Sequence, residues 1–532
     1  MLTLGFAYFP ILLLIYLMSK KNNLPANYAL PLCAVVAYFV VLLMFGQDFT
    51  LVNANVVAGL LKAWTPILII AGAIFLFRCM EETGALDIIR QWLNQISSNP
   101  VAQLMIVAWA FAFLIEGASG FGTPAAIAAP ILVSLGFPAL RVAICCLILN
   151  SIPVTFGAVG TPIWFGLSLV DLLPQQLADV GWKSALINTS VAPFIVLIAL
   201  SLVLKQKRLL WQNVGFILLS TFACTLPYLA LSRISVEFPS LLGGLLGLVI
   251  TLLLAKYKIG LSKGPEAIEV QPQSNISFYV LFKASFPLWG TILVLVLTRI
   301  PQLGLKPLLQ LTEPAWHINL GIMGDFSISA ALVLNLQHIL GTAVTWQHSV
   351  LYVPSFIPFL VVGTLSLVWF RKKAFLRVIQ QTQTSMLKPV IALMGALVFV
   401  NLMMLGEQAS AVNQIGRHLA SLGGQHWPWF APFLGALGSF FSGSATVSNL
   451  TFATVQQIIA TEQGLDVSTI LAMQSVGAAM GNMICINNIV AVASVLSLTH
   501  QEGYILKRTA LVVLIYGLFA GVVGLFLTCP VL

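Results

Sequence analysis

Charge is what this sequence has least of. Asp, Glu, Lys and Arg make up 8% of its 532 residues, against 59% hydrophobic. A soluble domain carries about 25% charged residues, so a water-soluble globule is excluded. No G-x-x-x-x-G-K-[ST] loop occurs, which excludes P-loop ATP-driven work. The seven cysteines include no Cys-x-x-Cys, and the histidines at 338, 348, 418 and 426 make no i, i+4 ligand pair, so no metal site is expected. Cys145 and Cys146 lie in an apolar run, as packing residues do. Gly117-Ala-Ser-Gly120-Phe-Gly122 is no dinucleotide fingerprint, because its glycine order and βαβ context are wrong. Without a nucleophile–base set at membrane depth, neither an enzyme nor a cofactor is expected.

What the chain has instead is long apolar runs. Windows of about 17–25 residues, enough to span a membrane as helices, begin near Thr3, Ala26, Val57, Leu140, Ser184, Trp211, Ser240, Phe278, Val350, Pro389 and Arg508. Two interrupted regions and the segment from Ser468 to Leu498 add further passes. The expectation is an all-α integral membrane protein of roughly 11–14 transmembrane helices. Barrel strands would be about ten residues long and alternating. The formal charge is +9, but the basic residues cluster at run ends: Lys20-Lys21, Lys205 to Arg208, Lys256 to Lys263, Arg371 to Arg377 and Lys507-Arg508. That is the signature of cytoplasmic loops beside lipid, and no nucleic-acid partner is expected. The first run lacks a basic n-region and a cleavage site and reads as a retained helix with its N-terminus outside.

Two stretches look like one device built twice. Phe113-Leu-Ile-Glu-Gly-Ala-Ser-Gly-Phe-Gly-Thr-Pro124 and Phe440-Phe-Ser-Gly-Ser-Ala-Thr-Val-Ser-Asn-Leu-Thr451 are polar, glycine-bearing breaks between apolar segments. Such backbone is tolerated in hydrocarbon where it is buried in protein or lines a cavity. Matching breaks in two halves point to a transporter's binding site. If both are re-entrant hairpins, entering from opposite faces, about 19 of the Lys and Arg residues fall on the cytoplasmic side. This predicts two inverted-topology repeats, each with a hairpin and then a broken helix. Residues 1–256 form the first half, with a hairpin near 113–136 and a broken helix near 140–167. Residues 257–380 connect the halves. Residues 381–532 form the second, with a hairpin near 428–460 and a broken helix near 468–498. The polar stretch 301–349 reads either as an external loop or as a partly inserted element.

Helix breaks leave N–H groups unpaired at the positive end of the next half-helix, and two such ends near midplane suit a small anion without any arginine. Hydroxyls, amides and glycines at Ser119, Gly120, Gly122, Thr123, Asn150, Ser151 and Thr155 are candidate substrate-binding residues in the first half. Ser444, Thr446, Ser448, Asn449 and Asn482 are their counterparts in the second. Small residues also serve close helix packing, the reading that fits Gly243-Gly244-Leu-Leu-Gly247. Glu116 is the sharpest residue. An intramembrane carboxylate costs at least about 2.5–3.5 kcal/mol and is functional by default. Burial favours its neutral form, which suits a proton carrier; capping hairpin N–H groups as an ion is the other role open to it.

Glu116-Gly-Ala-Ser-Gly-Phe-Gly-Thr-Pro-Ala-Ala-Ile127 and Asn150-Ser-Ile-Pro-Val-Thr-Phe-Gly-Ala-Val-Gly160 closely resemble the signature stretches of bacterial lactate permeases. The hairpin Ser442-Gly-Ser-Ala-Thr-Val-Ser-Asn449 fits as well. The resemblance is strong in the first half, fair from Trp429 onward and weak between Leu209 and Gln380. It implies a secondary active transporter of the ion-transporter superfamily in a bacterial inner membrane, importing lactate and glycolate with protons. Two positions depart from the family pattern: Ala445 stands where an Asp is usual, and Asn482 where a Lys is usual. An acid and a base are absent together, as though neutralised as a pair. The alternative is a sodium-coupled carrier of another small organic anion, with Ser448 to Thr451 holding the cation.

Overall fold

A computed structural model describes residues 2–19, 24–94, 97–120, 123–204, 206–262, 276–299, 303–353, 356–496, 498 and 501–528. The chain is a multi-pass helical membrane protein. Among the described residues, eight helices are long and apolar enough to cross a membrane, or ten when each of two sharply bent pairs is one span, and four shorter apolar helices accompany them. Compactness divides the chain by interleaving: one unit takes Met1–Thr83 and Phe286–Leu422, the other Gly84–Ser285 and Gly423–Leu532. The connecting region 257–380 is thus split between the two.

In the first unit, Ala26–Leu43 packs along Phe375–Met404. The contact is so close that a Cβ on Gly395 would lie 2.6 Å from the Pro31 nitrogen. Phe75, Cys79, Leu367 and Val378 form one core. The stretch 301–349, left open by the sequence, adds a small antiparallel sheet to the helical class. Its strands β1 (Ala315–Asn319), β2 (Asp325–Ser329), β3 (Val333–Gln337) and β4 (Trp346–Ser349) pair in sequence order. Leu336, Ile339 and Trp346 pack against Ala54 and Ala58 of the helix Phe49–Lys62.

The second unit holds both polar breaks. An amphipathic helix, Ala85–Asn94, precedes the first hairpin. That hairpin starts earlier than the sequence suggests, because Asn99 caps the helix at Val101 and Ala102 with Pro100 in the first turn. A continuous run, Pro100–Ser119, contains a π-helical stretch at Met105–Phe111 and is buried along its length. It ends at Gly120, whose φ of +64° costs a glycine little, and the chain returns as Thr123–Ser134. The first broken helix follows: Ala139–Leu149 and then Pro153–Trp164, bent by 52°. Ala158, Val159 and Gly160 there have left-handed backbone. The second hairpin pairs Ala431–Ser442 with Ala445–Glu462 about Gly443, also left-handed at φ +74°, with Ser444 as N-cap. The second broken helix is Val467–Gly481, a 3₁₀ turn at Asn482–Ile484, and Ile486–Val495. Hairpin followed by broken helix is therefore built twice in one compact unit.

Candidate functional site

Both hairpin tips and both broken helices meet at one narrow cavity. It is lined by Glu116, Gly120, Val154, Gly157, Ala158 and Pro162 from the first repeat, and by Gly443, Ser444, Ala445, Thr446 and Asn482 from the second. The space open to the centres of water-sized molecules is about 20 Å³, room for about one water.

Glu116 is the one carboxyl among the buried described residues. Its Oε2 accepts a hydrogen bond from Asn150 Nδ2 at 3.0 Å. On its other side stands Gly157, where an added Cβ would come within 2.6 Å of Oε1. The glycine is what admits the carboxyl to the cavity. Across the gap, Ser444 Oγ accepts from Val447 N at 3.4 Å. It leaves the N–H groups of Ala445 and Thr446 at the positive end of an 18-residue helix. Asn482 accepts from Asn488 Nδ2 through both its side-chain and main-chain oxygens.

Of the sequence candidates, Glu116, Gly120, Ser444, Thr446 and Asn482 line the cavity, and Asn150 joins them through Glu116. Five others are engaged elsewhere. Ser119 donates back to the Ile115 carbonyl at 2.9 Å and Ser151 to that of Ile148 at 2.7 Å. Thr155 accepts from Asn188 Nδ2 at 2.9 Å. Ser448 donates to the Gly435 carbonyl at 2.7 Å, and Asn449 to the Pro162 carbonyl at 2.9 Å. Gly122 and the Thr123 side chain lie outside the described residues.

Two buried amide networks stand behind the cavity, and sequence reasoning missed both. Asn188, on the helix Pro174–Val203, donates to Thr155 and to the Tyr228 hydroxyl, and its Oδ1 accepts from Tyr516 at 2.7 Å. In the second repeat Trp427 donates to Gln456, Gln456 to Gln474, and Gln474 to Ser448. The first reaches from the first half to Tyr516 in the second, and the second ties the limbs of its own repeat together. For Asn188 the available signal was a lone amide inside an apolar run, where an unpaired polar group is costly. Ala445, in turn, packs with Val154, Ala478 and Ala479 in an apolar cluster. Lys183, on the helix Pro174–Val203, bridges Asp179 and Asp466 at 2.7 Å each. Asp466 caps Val467–Gly481 through the Thr469 N–H at 2.8 Å. Burial alone would raise the Asp466 carboxyl; the bonds from Lys183 and Thr469 outweigh it and hold it below its usual range.

Helices that cross a membrane, broken twice around one cavity, define a multi-pass permease fold. The chain belongs to the L-lactate permease family, whose model matches residues 5–531. It is 46% identical over 533 residues to a Haemophilus influenzae relative provisionally named an L-lactate permease, covering 99% of each chain. The L-lactate permease of Escherichia coli K12 is 26% identical, over 97% of this chain and 94% of that one. The glycolate permease of the same organism is 25% identical, over 95% and 91%. Among solved structures, the chain is similar to the Alcanivorax borkumensis YdaH transporter, with TM-score 0.43, 17% identity and coverage of 97% and 98%. It is also similar to Neisseria gonorrhoeae MtrF, with TM-score 0.46, 14% identity and coverage of 98% and 97%.

Proposed function

We propose that this protein is a secondary active transporter that imports lactate and glycolate together with protons across a bacterial inner membrane. The substrate carboxylate lies at the positive end of Ala445–Glu462, within reach of Thr446 and Asn482. Glu116 carries the proton. The observation that supports this most is the Glu116 carboxyl itself: buried, at a cavity between two hairpin tips, with one described hydrogen-bond donor. An ionised carboxylate so placed is poorly satisfied, and taking up a proton relieves it. The family and its glycolate-permease relative support the substrate.

Protons are favoured over sodium because the stretch suited to a cation is occupied by bonds within the protein. Ser448 Oγ and Asn449 Oδ1 already accept from Gln474 Nε2, at 3.2 and 3.4 Å. The test is uptake of labelled lactate into proteoliposomes under a pH gradient, a sodium gradient or neither, with unlabelled carboxylates as competitors. Accumulation is expected under the pH gradient and competition by glycolate. Uptake driven by sodium alone, or none for any monocarboxylate, overturns the proposal.

A further inference from the structure

Asn150 has a role that packing does not explain. Its side chain is buried, its Nδ2 donates to Glu116, and its Oδ1 has no hydrogen-bond partner. An unpaired buried acceptor costs about 1–3 kcal/mol, so the orphaned atom marks a partner that arrives only in another state. Asn150 closes the helix Ala139–Leu149, where the first broken helix parts.

We propose, building on proton coupling at Glu116, that Asn150 is the positioning residue that reads the Glu116 proton by turning its amide over. In the structure Nδ2 donates to Oε2, the arrangement that serves Glu116 when it is ionised. When Glu116 takes a proton from water, its new O–H donates to Oδ1 after the amide rotates. The free end of the amide then changes from acceptor to donor. The break offers an anion an N–H only while Glu116 holds its proton, which couples the two cargoes through a single side chain.

Other titratable groups near this pair have other partners or positions. The first hairpin's return limb Thr123–Ser134 and the broken segment Pro153–Trp164 carry none. Pro239–Lys256, packed against the Glu116 helix, carries Lys256 at its far end, and Glu237 precedes it. Ala139–Leu149 carries Arg141 in its first turn and the thiols Cys145 and Cys146. On Val214–Ser232, Cys224 packs against Gly247, and the Tyr228 hydroxyl is bonded to Asn188. Asn150 remains the polar side chain that touches the Glu116 carboxyl.

The experiment measures lactate affinity of the detergent-purified full chain at acidic and at neutral pH, with infrared difference spectra of the same samples. Native protein is expected to bind about tenfold more tightly in acid, within the usual range of coupling between two ligands. E116Q is expected to lose that ratio and the infrared band of the protonated carboxyl, which assigns the band. Asn150→Leu is expected to bring the ratio near one and move the band to the higher frequency of an acid with no acceptor. Asn150→Ser, which can donate and accept, is expected to retain the ratio and the hydrogen-bonded band. A native pH ratio kept in E116Q sinks proton coupling itself. A ratio lost in E116Q but kept in Asn150→Leu leaves proton coupling standing and overturns the role of Asn150. Loss of the ratio in Leu and Ser alike assigns Asn150 to folding and also overturns it. Should the Leu protein not fold, a native band at the frequency of a free acid overturns it as well.

Discussion

Asn449 donates its side-chain amide to the carbonyl oxygen of Pro162 at 2.9 Å, across 287 residues of sequence. The bond joins the second hairpin to the first broken helix. Pro162 needs such a donor because the helix turns out of register there: the N–H of Gly166, four residues on, bonds to Thr161 instead. A carbonyl freed by a helix break is thus satisfied from the other repeat. Asn449→Ala is expected to destabilise the fold by about 1–3 kcal/mol through that unpaired carbonyl, and thermal unfolding would measure it. A melting curve identical to native would show that the bond is dispensable.

Ala445 and Asn482 line the cavity together, and Ala445 sits among Val154, Ala478 and Ala479. Ala445→Asp alone would bury an unpaired charge in that cluster, a loss of roughly 3–5 kcal/mol. Combining it with Asn482→Lys is expected to recover part of the loss. Yield and uptake of the two variants decide; equal damage in both would contradict the view that an acid–base pair was neutralised as a unit.

Two glycines shape the cavity by different means. Gly157→Ala would press a Cβ to within 2.6 Å of Glu116 Oε1, and uptake is expected to fall sharply while the protein still purifies. Gly443→Ala would hold an alanine at φ +74° with its Cβ 3.1 Å from Asn487 Nδ2, a strain of about 1–2 kcal/mol. Its melting temperature is expected to drop along with its uptake. Native-like uptake in Gly157→Ala would place the carboxyl elsewhere during transport.

The Lys183–Asp466 pair predicts a pH dependence of stability. The folded Asp466 carboxyl is the more acidic one, so its contribution is complete above the unfolded carboxylate range and is lost as pH falls through the lower, folded range. Asp466→Asn keeps a capping side chain and removes the charge. The side chain is 43% exposed, so the loss at neutral pH is expected to be below about 1 kcal/mol after screening. It should vanish in acid. A deficit that grows as pH falls would contradict the pairing.

Much of this site was legible in the sequence because breaks in apolar runs are rare and costly. Glu116, Gly120, Ser444 and Thr446 stood out as polar residues beside helix-breaking glycine and proved to line one cavity. Ser151, Thr155 and Ser448 carry the same chemistry at the same spacing. Composition cannot tell that their hydroxyls are spent on backbone or on Asn188. Asn188 escaped notice for the opposite reason: it is a single amide in a run that otherwise reads as lipid-spanning. The sheet over 315–349 escaped too, since its strands are short and mostly polar, and their pairing depends on register that composition does not encode.

The most direct test compares pH-driven uptake of labelled lactate in proteoliposomes bearing native protein or Glu116→Gln. Native protein is expected to accumulate lactate against its gradient when the outside is acidic. The variant is expected to exchange lactate for lactate while ignoring the pH gradient, since its neutral side chain has no proton to release. Gradient-driven accumulation by Glu116→Gln equal to native at every pH would contradict the assignment of the proton to Glu116.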